Sequence, residues 1–292
     1  MNPFKIWLLA CRPKTLFASI SPVIIGTAMA YADNGLHLQS AVAALAGAIL
    51  IQIETNLAND YFDYKKGTDT EERIGPVRVM QAGLATPKQM EWAILIVLGA
   101  IIAISAYLFQ RGGWPVVAIA VTSILSAIFY TAGPRPLGYV GLGDIFVFVF
   151  FGLVAVGGTY YVQVLDITWT VIVAGIAPGL LSVAVLTVNN LRDLPMDRKA
   201  GKKTLAVRFG RSFAVSEYLI AVVGAFLVPL ALSIMTEDYR YSLLPVLLIF
   251  LAIPMMKTVA SRTDGPSLNQ ALANTGLLLF AYSVVFSMGW IW

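Results

Sequence analysis

An all-α membrane protein of nine transmembrane helices is what this sequence predicts. Three observations carry that prediction. The 292 residues are 58% hydrophobic and only 12% charged, with a mean hydropathy of +0.78, whereas soluble chains carry about a quarter charged residues. Apolar segments of about twenty residues recur along the chain, each long enough to cross about 30 Å of hydrocarbon. The basic residues, finally, gather on alternate connections between those segments, as the positive-inside bias requires.

In chain order the spans fall at about 16–32, 40–60, 90–109, 114–132, 144–163, 168–190, 213–235, 241–257 and 270–291. The first opens behind Arg12 and Lys14. The second is free of charge from Ser40 to Ile53 and then turns polar at Glu54, Asn56, Asn59, Asp60 and Asp63. Gln110–Gly113 joins the third span to the fourth, and Val164–Ile167 the fifth to the sixth, so these pairs are antiparallel neighbours on tight turns. The sixth span ends, like the second, in amides and acids: Asn189, Asn190, Asp193 and Asp197. Pro195 lies within that set and is expected to end or kink the helix, leaving Asp197 on an unwound turn.

Connections after odd-numbered spans are short and those after even-numbered spans long. The face carrying the N-terminus and the long loops holds 18 of the 20 Lys and Arg, leaving Arg111 and Arg240 opposite. That bias predicts a cytoplasmic N-terminus and an outer C-terminus; Trp114, Trp169, Trp290 and Trp292 fall at outer ends, as an aromatic belt requires. The cations thus follow the lipid bilayer, and no nucleic-acid partner is expected. A single cysteine, Cys11, and a single histidine, His37, exclude an internal disulfide and a Cys- or His-ligated metal centre.

Carboxylates at the edge of hydrocarbon are costly and mark function. Two clusters in matching positions, four spans apart, predict one split site. On a helix Asn59 and Asp63 are i and i+4, while Asn56, Asp60 and Asp63 are i, i+4 and i+7, so each set is expected on one face. All are hard oxygen donors, the set that suits Mg²⁺, which takes one or two carboxylates and shares substrate phosphates. Asp60, Asp63, Asp193 and Asp197 bring charge that two Mg²⁺ would cancel, leaving the ions free to grip a diphosphate. Arg73, Arg78, Arg135, Lys202 and Lys203, in the loops around the clusters, are the candidate cations for the anion itself.

NDYFDYKKGTD, RIGPVRVMQAG, YTAGPRPLGYVGLGD and NNLRDLPMDRKAGKKTLAVRFG resemble the signatures of the UbiA superfamily of intramembrane aromatic prenyltransferases. RPKTLFASISPVIIGTA and NLANDYFDYKKGTD are most similar to its menaquinone branch, which acts on 1,4-dihydroxy-2-naphthoate. The recurrence of the acidic clusters four spans apart suggests two related halves, about 12–140 and 141–292. The resemblance implies one domain over 1–292, with nine transmembrane helices around a central cavity and a prenyl diphosphate held by two Mg²⁺ between the acidic motifs. It implies Asn59, Asp63, Asn189, Asp193 and Asp197 as the metal and diphosphate set, with Asn56 and Asp60 in support, and Arg78 and Lys203 as the loop cations. Asp60, Asp63, Asp193 and Asp197 are the expected catalytic carboxylates. It also implies transfer of a polyprenyl group to the naphthoate ring with loss of its carboxylate, at the cytoplasmic face of the bacterial inner membrane.

The allylic cation formed on ionisation needs a dry cavity with aromatic faces. Among Tyr61, Phe62, Phe129, Tyr130, Tyr139, Tyr160 and Tyr161, the two that flank the basic loop, Tyr130 and Tyr139, are favoured for that role. Lys14 or Arg12, at the entry of the first span, would bind the acceptor carboxylate, or both would be plain positive-inside anchors, and Glu54 would act on the acceptor hydroxyl or pair with a loop cation. The rival readings are a prenyltransferase for 4-hydroxybenzoate or homogentisate, and a cation-coupled transporter. Transport carboxylates sit near the bilayer midplane, and these sit at helix ends.

Overall fold

The computed structural model describes residues 1–67, 75, 77–236 and 240–292. Arg73 and Asp69 of the first loop lie outside the described residues. Everything regular among the described residues is helical: α1 Pro3–Cys11, α2 Pro13–Ala32, α3 Leu38–Lys65, α4 Pro87–Gly112 and α5 Trp114–Phe129. There follow α6 Gly143–Phe148, a π-helical turn Val149–Val154 and α7 Ala155–Val164, which together make one rod. Then come α8 Trp169–Lys199, α9 Leu205–Met235, a 3₁₀ segment Arg240–Leu248, α10 Ile249–Ser261 and α11 Gly265–Ile291. Eight of these stretches are long and apolar enough to cross a membrane, while Trp114–Phe129, the expected fourth span, is shorter. The protein is an integral membrane protein.

Helix ends follow their sequence signals. Thr86 and Gln89 close a capping box at the start of α4, and Thr168, Thr204 and Asp264 cap α8, α9 and α11 through their side chains. α9 starts earlier than the seventh span, at Leu205, and breaks at Gly210 (φ 82°), so the apolar span proper begins where the sequence puts it. The expected break at Pro195 is absent: α8 runs through Pro178 and Pro195 to Lys199. Pro195 lies four residues from the helix end and forfeits only the bond to the Leu191 carbonyl, so the last turn survives and Asp197 stays on the helix.

One apolar core joins α2, α7, α8, α9 and α11, with Leu181, Tyr218, Tyr282 and Phe286 buried in it. A second, smaller core joins α1, α3, α4 and the loop 79–85 through Leu57, Tyr61, Val79 and Met90. α8 crosses the α6–α7 rod at its π turn, where the backbones nearly touch. A Cβ at Gly152 would stand 2.6 Å from the Gly175 carbonyl and 2.8 Å from the Gly179 Cα. Small residues are what permit such an approach between membrane helices. Gly152→Leu is therefore expected to lower the unfolding temperature in detergent markedly, since the obstacle is backbone and cannot rotate away; overpacking alone costs about 1–3 kcal/mol. Gly157→Ala, whose Cβ would meet only side-chain methyls at 3.4 Å and beyond, is the matched control.

Candidate active site

Two cavities open between the cores, and Asn59 and Tyr130 line both. The first, of about 320 Å³, is apolar and walled by α2, α3, α4, α5 and the α6–α7 rod. It reaches from Tyr130 to Val116 along α5, a rise of about 21 Å at 1.5 Å per residue. The second, of about 180 Å³, is polar and lies where the ends of α3 and α8 face each other. Asn59, Asp63, Asn189, Asp193 and Asp197 all line it, together with Arg12, Arg78, Tyr139 and Lys202. Acidic helix ends 130 residues apart in sequence, Asp63 and Asp193, thus share one chamber.

Each carboxylate in the chamber carries a cation. Arg78 Nη2 donates to Asp63 Oδ2 at 3.0 Å, in a pair whose side chains are 6% and 5% exposed. The Tyr139 hydroxyl donates to Asp63 Oδ1 at 2.6 Å. Arg192 clasps Asp193 with two bonds of 2.8 and 2.6 Å, and also donates to Asn189 and Asn269 at 2.8 Å each. Lys202 Nζ lies 3.4 Å from Asp197 Oδ1. Thr131 donates its hydroxyl to Asn59 Oδ1.

The loop 131–143 is sewn to both helix ends. Lys66 Nζ donates to the Thr131 carbonyl at 2.6 Å, and the ammoniums of Lys66 and Lys202 sit 4.8 and 4.7 Å from the Tyr139 ring centre, within cation–π range. Burial holds the Lys66 ammonium below the usual lysine range; Lys202 adds to that effect and Asp63 opposes it. Tyr130 is seated beside Gly143, where a Cβ would stand 3.0 Å from its hydroxyl oxygen. Asp63 and Asp197 line the polar chamber together with Tyr130.

Not every expected residue reaches the chamber. Asn56 lines the apolar cavity and Asp60 lines neither. Asp60 points about 100° away from Asn59 on a helix of 3.6 residues per turn, while Asn56, seven residues before Asp63, shares its face but sits about 10 Å farther along the axis of α3. Both Asp60 oxygens accept main-chain N–H groups, from Val79 at 3.0 Å and Met80 at 3.4 Å. Lys203 is exposed, and it is Lys202 that lines the chamber; Lys203 contributes its N–H to the Tyr139 carbonyl at 2.7 Å. Arg135 and Lys14 are exposed and line neither cavity, whereas Arg12 lines the polar one.

Glu54 is 1% exposed. Neither of its oxygens has a hydrogen-bond partner among the described residues, so it pairs with no described loop cation, and it borders neither cavity. Tyr160 and Tyr161 lie toward the C-terminal end of α7 and line no part of the polar chamber, bonding Asp33 at 2.5 Å and the Gly112 carbonyl at 2.9 Å. Phe129 is 49% exposed.

Arg192, Lys66 and Thr131 are the site neighbours that sequence reasoning missed. Arg192 stands three residues after Asn189, so the two share a helix face, but its clasp on the adjacent Asp193 has no such periodic signal.

Among the described residues no three carboxylate, imidazole or thiolate groups converge on one point. The donors instead form an open rim of amide and carboxylate oxygens. That fits Mg²⁺, which binds through one or two carboxylates and completes its shell with phosphate oxygens and water.

Residues 19–284 match the UbiA prenyltransferase family. The chain is 38% identical to a 1,4-dihydroxy-2-naphthoate octaprenyltransferase of Haemophilus influenzae, over 98% of this chain and 95% of that one. It is 42% identical to the enzyme of the same name from Escherichia coli, over 78% of this chain and 76% of that one. Its fold matches a UbiA homolog from Archaeoglobus fulgidus solved with DMAPP and Mg²⁺, at a TM-score of 0.69 and 17% identity, over 96% of this chain and 99% of that one. With the family match spanning nearly its whole length, the chain belongs to the UbiA prenyltransferase family.

Proposed function

We propose that this protein transfers a polyprenyl group from polyprenyl diphosphate to the ring of 1,4-dihydroxy-2-naphthoate, with loss of the carboxylate, to give the quinol form of demethylmenaquinone. The observation that carries the reading is the junction at Asn59 and Tyr130, where a polar chamber of acids and arginines opens onto a long apolar cavity. A prenyl diphosphate has those two halves in that order. The relatives named for this reaction at 38% and 42% identity supply the acceptor.

The diphosphate lies in the polar chamber against Arg78 and Lys202, and the prenyl chain runs along α5 in the apolar cavity. Asn59, Asp63, Asn189, Asp193 and Asp197 would hold two Mg²⁺. Bound there, the metal would supply positive charge where the leaving diphosphate gathers negative charge. The C–O bond of the allylic carbon breaks with its electron pair on diphosphate. The π electrons of the acceptor ring then form the new C–C bond, and the carboxylate departs as CO₂, returning its bonding pair to the ring. Tyr130, at the junction, presents a ring to the developing allylic cation, and the apolar walls keep water from it. Arg12 is the cation for the acceptor carboxylate. Nine membrane-spanning segments with the N-terminus, and so the polar chamber, at the cytoplasmic face of the inner membrane complete the reading; the Lys and Arg bias supports it.

Purified protein in lipid vesicles, given polyprenyl diphosphate and the naphthoate, is expected to release CO₂ and the prenylated quinol in equal amounts. Chelation with EDTA should stop both, and Mg²⁺ restore both. A product that keeps its carboxylate, or faster turnover of 4-hydroxybenzoate, overturns the acceptor assignment.

A further inference from the structure

The polar end of α3 divides by what its side chains touch. Asn59 and Asp63 line the chamber, and Asn56 and Asp60, likewise four residues apart, bond two other chain segments. Asn56 is 3% exposed. Its Nδ2 donates to the Cys11 carbonyl at 3.0 Å and to Thr15 Oγ1 at 2.9 Å, and its Oδ1 accepts from Gln52 Nε2 at 3.3 Å. Those contacts grip the elbow between α1 and α2 on both sides of Arg12. The elbow needs a grip: Arg12 has φ 50° and ψ 69°, a left-handed backbone that an arginine adopts at a cost, and Pro13 follows it with no N–H to donate.

Asp60, 2% exposed, does the same one turn later. Its oxygens take the N–H groups of Val79 and Met80, the two residues after Arg78, whose guanidinium donates to Asp63.

We infer that Asn56 and Asp60 are positioning residues: Asn56 aims Arg12, and Asp60 aims Arg78, into the polar chamber, and neither is a metal ligand. The hydrogen bonds of Asn56 and Asp60 to the elbow and the loop occupy their polar atoms, and neither residue lines the chamber that Asn59 and Asp63 line. Asn59 and Asp63 thus furnish site atoms, and Asn56 and Asp60 fix the two chain segments that bring in the arginines. The inference rests on the prenyl-transfer reading for its assay.

The discriminating variant is Asn56→Asp. A carboxylate keeps the oxygens that a metal ligand would need and loses the N–H groups that grip the elbow. Steady-state kinetics of Asn56→Asp, Asn56→Ala, Arg12→Ala and the double variant Asn56→Ala/Arg12→Ala give the answer. Asn56→Asp and Asn56→Ala should raise the same KM that Arg12→Ala raises, by about tenfold, the size of one misplaced charge-assisted hydrogen bond. The double variant should be no worse than Arg12→Ala alone, because residues acting through one another are not additive. The concentration of Mg²⁺ giving half-maximal rate should stay that of the unsubstituted protein.

Asp60→Asn, Arg78→Ala and their double variant form the second cycle, with the same pattern expected in the KM for prenyl diphosphate. Asp60→Asn keeps one acceptor oxygen, so the loop stays attached and the chain folds. Additive double variants, full activity in Asn56→Asp, or a tenfold shift in the Mg²⁺ requirement overturns the inference. An unsubstituted protein without prenyl transfer would instead fault the functional reading, and the two failures are distinct.

Discussion

Asp63→Asn is expected to lower prenyl transfer about 100-fold or more, the scale set when one preorganised electrostatic contact to a developing charge is lost. The side chain is the meeting point of the chamber: Arg78 and Tyr139 both donate to it, and Asn59 lies one turn before it on the same stripe. Exchange of carboxylate for amide keeps the shape and removes the charge. One of its atoms becomes an N–H, which faces the Arg78 donor, and a lost or mismatched buried hydrogen bond costs about 1–3 kcal/mol. The protein should therefore still fold, with a modestly lower unfolding temperature, while the rate collapses and more Mg²⁺ is needed to reach it. Lys203→Ala, at an exposed side chain one residue from the chamber, should fall far less. Undiminished, Mg²⁺-dependent transfer by Asp63→Asn would take the carboxylate out of the reaction.

The spans were legible because hydrocarbon leaves few choices. Backbone groups in lipid must be bonded internally, so each apolar run of sufficient length became a helix close to where the sequence put it. The acid clusters were legible because charge there has a cost that only function or pairing offsets. Phase was not legible. A soluble helix shows which side faces inward by its apolar stripe, but α3 is apolar on all sides through Ser40–Ile53, so nothing local separated Asp60 from Asn59 and Asp63. The π turn at Val149–Val154 and the closeness of Gly152 to Gly175 depend on a partner helix, and no spacing within one segment encodes them. Lys202 and Lys203 could not be told apart for a similar reason: a turn, not a periodic element, decides which of two neighbours points inward. Arg192 was hidden by its own sign, since a basic residue on the cytoplasmic side already had an explanation.

Arg192→Met should be the most damaging single change to stability. The guanidinium is 2% exposed and its partner Asp193 9%, and it bridges Asn189 on its own helix to Asn269 on α11. Methionine fills much of the space but leaves the buried Asp193 with an uncompensated charge, a loss of about 3–5 kcal/mol when a buried pair is broken from one side. Asp193→Asn/Arg192→Met, which removes both charges, should recover part of that loss, because the larger share of the cost belongs to the stranded carboxylate rather than to the missing bond. Added Mg²⁺ makes the distinction sharper. A cation that binds only the folded state raises stability by RT ln(1 + [L]/Kd), and Asp193 freed from Arg192 offers it a stronger anion. The unfolding temperature of Arg192→Met should therefore rise more with Mg²⁺ than that of the unsubstituted protein, and that of the double variant less. If Mg²⁺ moves all three equally, Asp193 does not face the cation, and the chamber shared by α3 and α8 binds its charge through other oxygens.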